Sequence, residues 1–169
     1  MKICFLAGAD SIHSKRWIEY FIKEGNEIHW ISLTPNSFGE LKNIKFYSLK
    51  NFKLKSLNIL FNALFVRRLI RRIKPDILHA HYAGVNGVIA ALSGFHPFVL
   101  TAWGSDILIV TKSKIVRLLV KFALKKADLI TCDANHMKEA MIKLGVPDSK
   151  IKIIYFGVDT QKFSPGLKN

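Results

Sequence analysis

Cysteine is nearly missing: Cys4 and Cys132 are the two in 169 residues. Both fall in predicted strands, which suits buried, reduced thiols of a cytosolic protein better than a disulfide, a metal site or a redox pair. Acidic residues are also scarce. Twelve Asp and Glu stand against twenty-six Lys and Arg, a formal charge of +14. Such an excess implies a polyanionic neighbour: nucleic acid, an anionic membrane or a phosphorylated substrate. A proteome rich in lysine would raise the charge too, but here the basic residues cluster. No apolar run approaches the ~20 residues that span a bilayer. Met1-Lys2 leads straight into Ile3-Cys-Phe-Leu6, too short for a signal peptide. The expectation is a soluble cytoplasmic protein, with a peripheral place on the cytoplasmic face of the membrane left open. There is no internal repeat and no low-complexity tract. No GxGxxG, GKS/T or GxSxG occurs, which argues against a dinucleotide fingerprint, a P-loop and a nucleophile elbow.

What is present is a globular composition, 50% hydrophobic, in a length suited to one domain. The stretch Pro75 to Asp106 organises it. Asp76–His81 is too short for a helix and alternates too little for a half-exposed strand, so it reads as a parallel strand buried on both faces. Gly84 and Gly87 bracket the start of a helix over Val85–Leu92, and Gly94 stands at its C-terminal cap. Phe98–Thr101 is the next strand. This is a right-handed βαβ unit, and its carboxyl ends, His79-Ala-His81-Tyr82 and Trp103-Gly-Ser-Asp106, are where open α/β sheets bind ligands.

The same alternation runs through the chain. Strands are predicted at Ile3–Ala7, Glu27–Leu33, Lys45–Leu49, Leu129–Cys132 and Lys152–Tyr155. Helices are predicted over Lys15–Glu24 (capped by Ser14, with Trp17, Ile18, Phe21 and Ile22 as its apolar stripe), Leu57–Ile73, Ser113–Lys126 and Asn135–Leu144. A polar loop is expected after Thr101. The fold class is therefore α/β: a doubly wound, mostly parallel, Rossmann-like sheet of about seven strands with helices on both faces. Residues 1–163 form the domain, and Phe163-Ser-Pro-Gly166 opens a linker over 164–169.

Two helices are strongly basic. On Leu57–Ile73 a sector that begins with Leu57, Leu60, Phe61 and Leu64 continues as Arg67, Arg68, Arg71 and Arg72. Ala63, Val66, Ile70 and Ile73 keep the opposite side for the core. On Ser113–Lys126 the cations Lys114, Arg117, Lys121 and Lys125 share one stripe. Apolar residues beside arginine suit a surface lying on anionic lipid; a solvated face with long side chains covering apolar surface is the plainer reading. The clusters lack interleaved aromatics, which weighs against nucleic acid.

Chemistry-bearing candidates gather at the predicted strand ends. Gly8-Ala-Asp10 follows the first strand, where this fold often puts a phosphate-facing turn, although a merely structural turn fits the spacing equally. His79 and His81 share one face of their strand. Without further ligands nearby they do not make a metal site. His79 reads as a satisfied, half-buried histidine and His81 as site-lining. Trp103, Gly104 and Asp106 set an aromatic face, a flexible residue and a carboxylate in one mouth, a combination suited to sugar rings. Asp106 would position an acceptor, act as a base, or simply cap the next segment.

Five segments together, AGADSIHSKRW, KPDILHAHY, VLTAWGSDI, KKADLIT and IIYFGVDTQKFSP, resemble the N-terminal domain of GT-B glycosyltransferases, the glycogen-synthase-like retaining group (glycosyltransferase family 4-like). The resemblance implies two Rossmann-like domains around a cleft, the first binding the acceptor and the second a nucleotide-sugar donor. It places the loop Gly8–Arg16 at the cleft, with His13 at the matching polar position, and Gly157-Val-Asp159 to Phe163-Ser-Pro165 at the passage to the second domain. With the strand-end reading above, the catalytic candidates are Asp106 and His13, and the cleft-binding ones Gly8, Asp10, Arg16, His81, Tyr82, Trp103 and Gly104; the acceptor-positioning role of the family's histidine does not carry over to Trp103. No metal or resident cofactor is implied, since side chains and a helix N-terminus of the donor domain would neutralise the donor phosphates. Two positions depart from the family pattern: Trp103 stands where many members have histidine, and Phe156 where asparagine is usual. The paired-glutamate donor motif is not in this sequence, so the expected partners are a C-terminal donor domain and a sugar or lipid-linked acceptor. The alternative is a free-standing recruiting subunit that pairs with a separate donor domain.

Overall fold

The computed structural model describes residues 1–39, 43–50, 55–157 and 160. Among them strands and helices alternate: β1 (Lys2–Leu6), α1 (Ile12–Lys23), β2 (Glu27–Ser32), β3 (Ile44–Ser48), α2 (Lys55–Ile73), β4 (Ile77–His81), α3 (Val85–Ser93), β5 (Phe98–Thr101), α4 (Ser105–Leu108), α5 (Lys114–Lys126), β6 (Leu129–Cys132), α6 (Asn135–Lys143) and β7 (Ile151–Ile153). The strands form one sheet in the order β3-β2-β1-β4-β5-β6-β7, and every neighbouring pair is parallel. Chain direction across the sheet reverses between β1 and β4, and the carboxyl ends beside that switch point are the natural ligand crevice of such a sheet.

The two faces are covered unequally. Cys4, Leu6, Leu78, Ala80, Leu100 and Ile130 pack with residues of α2, α3, α5 and α6, among them Val66, Val88, Val120 and Met141. The alternate residues Ile3, Phe5, Ile28 and Trp30 pack instead with Ile18 of α1. Helices thus lie on both faces, as the alternation predicts, and among the described residues α1 alone covers one of them. Burying a large side chain such as Trp30, Phe5 or Phe98 contributes about 1.5–3 kcal/mol each, so these anchors fix the frame. Both cysteines are free and buried, and burial pushes the Cys4 thiol up to about 12.

Three local expectations change. Ser11, not Ser14, caps α1: its hydroxyl accepts the Ser14 N–H at 3.5 Å, so the helix starts at Ile12 and Ser14 is buried inside the first turn. The segment after β5 is not a loop but the short helix α4 followed by a 3-10 turn over Val110–Lys112. β7 stops at Ile153, which frees Ile154–Gly157 to turn over the sheet end. Gly94 does cap α3 in the left-handed region, at φ 69°. The expected linker over 164–169 lies outside the described residues.

Candidate functional site

Position 13 begins a stripe along α1. His13, Arg16, Trp17 and Tyr20 follow the i, i+3, i+4, i+7 rule of one helix face. That face, with Trp103 after β5 and Ile154–Gly157 after β7, walls a groove of about 480 Å³. Arg16 holds the far wall in place by donating from Nη2 to the Gly157 carbonyl at 3.0 Å. Aromatic rings line most of what remains. Trp103 and Phe156 stack at 5.1 Å and 19°, and His13 meets Trp103 at 5.0 Å and Phe156 at 6.2 Å. Flat apolar faces beside a guanidinium and an exposed imidazole suit a ligand with C–H faces and hydroxyl or anionic edges.

Behind the groove lies a second layer of rings. His81 contacts Trp103 at 5.4 Å, Trp17 at 5.6 Å, Phe5 at 5.6 Å and His79 at 4.7 Å. His79 is satisfied through Thr101: its Nε2 pairs with the Thr101 hydroxyl at 2.7 Å, which pairs with the Thr131 hydroxyl at 2.7 Å. Neither ring nitrogen of His81 has a hydrogen-bond partner among the described residues. Burial pulls the His79 pKa down to about 3, and burial with the neighbouring His79 pushes that of His81 well below its ordinary value. Both rings are therefore neutral at pH 7. Among the described residues no group of three His, Cys, Asp or Glu comes together to hold a metal ion.

Of the sequence candidates, His13, Arg16 and Trp103 meet in the groove. Asp106 does not face it. Its side chain is fully buried, one oxygen accepting the Ala83 N–H at 2.6 Å and the other the Trp103 N–H at 3.0 Å. Burial raises its pKa, and backbone N–H groups of Ala83, Trp103, Asp106 and Gly104 pull the other way. The carboxylate is a clamp between the two strand exits rather than a group open to a ligand. Asp10 also turns away, accepting the Thr34 hydroxyl at 3.0 Å, and beside it Gly8 leaves room for that carboxylate: an added Cβ would stand 2.8 Å from Asp10 Oδ1. Tyr82 sits at φ 78°, outside the groove lining, with its ring over Gly84. Gly104 adopts φ 98°, which lets the chain leave Trp103 and enter α4. Trp17, Tyr20 and Ile154–Gly157 are lining residues the sequence reading did not name. The stripe spacing on α1 is the signal that could have found Trp17 and Tyr20.

Residues 2–134 match the family model described as glycosyl transferase 4-like. The chain belongs to that family. An uncharacterized glycosyltransferase of Methanocaldococcus jannaschii is 28% identical over 155 residues, covering 85% of this chain and 42% of that protein. An Escherichia coli UDP-Gal:alpha-D-GlcNAc-diphosphoundecaprenol alpha-1,3-galactosyltransferase is 36% identical over 107 residues, covering 59% of this chain and 28% of its own. Among solved structures, HepE of Anabaena in complex with UDP superposes with a TM-score of 0.69 at 20% identity, covering 95% of this chain and 45% of that one. At that identity the likeness carries the fold alone. The chain spans less than half the length of these relatives. As a glycosyl transferase 4-like chain it carries the parallel, Rossmann-like sheet that the HepE structure shares.

Proposed function

We propose that this chain is the acceptor-side domain of an enzyme that moves a sugar from a nucleotide-sugar donor to a lipid-linked or polysaccharide acceptor at the surface of an anionic membrane. A donor-binding domain would complete the catalytic centre, the nucleotide sugar being a co-substrate and no resident cofactor being required. In this reading His13 and Arg16 meet the polar edge of the acceptor, Trp103 offers a ring face, and Asp106 positions the loop that carries Trp103. The chain by itself is expected to transfer little or no sugar.

One observation carries the membrane part. α3 packs between α2 and α5, and none of the three helices contains an Asp or Glu. Arg67, Arg68, Arg71, Arg72, Lys114, Arg117, Lys121 and Lys125 are all exposed. Beside them stand Leu60, Leu64 and Phe65 of α2 and Ile115 and Leu118 of α5, Ile115 with 73% of its surface open. Apolar side chains among cations with no balancing acids match an anionic lipid surface, each cation near that surface contributing about 1 kcal/mol. Arg117 also donates to the Thr111 carbonyl at 2.8 Å, so it both fixes the start of α5 and faces outward. No helix of the described residues is long and apolar enough to cross a membrane.

Co-sedimentation with phosphatidylglycerol-containing and purely zwitterionic vesicles, at low and high salt, tests this. Binding to the anionic vesicles alone, weakened by salt, is expected. Equal binding to both, or to neither, would remove the membrane from the reading.

A further inference from the structure

Buried polar groups in folded proteins are almost always hydrogen-bonded, and the His81 ring is an exception with two orphan nitrogens at 1% exposure. Four rings box it in. Two of them, Trp17 and Trp103, are also walls of the groove, so His81 lies directly behind the groove lining. Its strand neighbour His79 is equally buried yet satisfied through Thr101. Leucine or phenylalanine at position 81 would fill the same place without leaving two polar atoms unpaired. The imidazole therefore costs stability as packed here and is matched to a hydrogen-bonding partner that the surrounding rings do not supply.

Trp103 is placed to admit one. Its ring meets the rings of His13, His81 and Phe156 at 5.0, 5.4 and 5.1 Å. It is half-buried, and the residue after it is Gly104 at φ 98°, where an added Cβ would meet nothing nearer than Met137 Sδ at 3.9 Å. Its backbone, by contrast, is pinned by the Asp106 carboxylate. The main chain is fixed, whereas the indole meets these rings through face and edge contacts that a ligand can replace.

We propose that His81 is a ligand-binding residue of the groove: a sugar hydroxyl that seats against Trp103 shifts the indole and completes its hydrogen bonding on a nitrogen of His81. A neutral imidazole offers one donor and one acceptor, which matches a hydroxyl group and would favour a sugar over a purely apolar ligand. This rests on the groove being the acceptor site, as proposed above.

Side-chain nitrogen NMR of the chain separates the two. The probes are geranyl-diphospho-N-acetylglucosamine and the methyl glycosides of glucose, galactose and N-acetylglucosamine. The expected result is a probe that moves the His81 ring nitrogens and the Trp103 indole while the His79 signal stays. His81→Phe and His81→Leu should then bind that probe about tenfold more weakly, the worth of one lost hydrogen bond. Both variants should also melt about 2–4 °C higher, because the orphan nitrogens are gone. A structural role for His81 predicts lower melting instead. A probe that shifts His13, Arg16 and Trp103 but leaves His81 still overturns the proposal and keeps the groove. Failure of every probe to bind overturns both.

Discussion

One carboxylate oxygen of Asp106 accepts the backbone N–H of Ala83 at 2.6 Å, across 23 positions of chain. The other accepts the Trp103 N–H at 3.0 Å. One buried side chain thus ties the exit of β4 to the exit of β5, and with them His81 to Trp103. Asp106→Asn keeps the shape but turns an amide NH2 toward one of those N–H groups, leaving a buried donor unpaired at a cost of about 1–3 kcal/mol. Asp106→Ala orphans both and should cost more. Denaturant unfolding measures the loss. A fall of less than about 0.5 kcal/mol for both variants would mean the clamp is not holding the two exits.

The two buried histidines make the fold acid-labile. The folded chain holds His79 neutral down to about pH 3, and His81 is depressed for the same reason, burial. The unfolded chain protonates both near pH 6.5. Below that value the unfolded state takes up protons that the folded state refuses. The stabilisation from neutral burial is therefore present above pH 6.5 and lost as pH falls from 6.5 toward 3. The slope is about 1.4 kcal/mol per pH unit for each histidine. Unfolding free energies at pH 7.0, 6.0 and 5.0 should follow it, and His81→Phe should remove about half of the slope. Stability that stays flat from pH 7 to 5 would contradict the burial of both rings.

Much of the fold was legible because its signals are local. Short apolar runs such as Ile77-Leu-His-Ala-His81, stopped by glycine or proline and separated by helical periodicity, specify a parallel sheet with few alternatives. The site was legible only in part. His13, Arg16 and Trp103 carry their chemistry openly, but Asp106 was indistinguishable from a ligand-facing carboxylate until the Ala83 and Trp103 N–H groups were seen around it. Pairing across the sheet decided that, and no local spacing encodes it. Trp17 was read as core from its apolar stripe, whereas its half-buried ring serves both the core and the groove. The short helix α4 follows a glycine at φ 98°, a backbone choice that a loop-like string such as Trp-Gly-Ser-Asp does not announce.

That glycine gives a clean test of backbone strain. Gly104 has open space around its missing Cβ, with Met137 Sδ the nearest neighbour at 3.9 Å. Any loss in Gly104→Ala thus comes from forcing a side chain into φ 98°, at about 1–3 kcal/mol. Gly157→Ala is the control, because its added Cβ meets nothing within 4 Å and no left-handed angle is involved. Melting of the two variants should differ by several degrees. Equal melting would show that the turn into α4 relaxes.

The α2–α3–α5 layer makes separable predictions for charge and for apolar insertion. Replacing Arg67, Arg68, Arg71 and Arg72 together by glutamine removes the cations of the last turns of α2 while leaving Ala63, Val66, Ile70 and Ile73 in the core. None of the four arginines is in an ion pair among the described residues, so folding should be nearly unchanged. Binding to anionic vesicles should fall by about 10²-fold or more, at about 1 kcal/mol per arginine, and its salt dependence should flatten. Ile115→Ser with Leu118→Ser on α5 leaves the charge at +14. These two side chains are 73% and 68% exposed, so their removal should spare the fold but weaken binding without altering its response to salt. Vesicle titrations at two ionic strengths distinguish the patterns. If the arginine variant loses affinity and the α5 variant does not, the layer touches headgroups by charge alone. If both lose it in their own ways, apolar side chains of α5 enter the bilayer surface beside the cations.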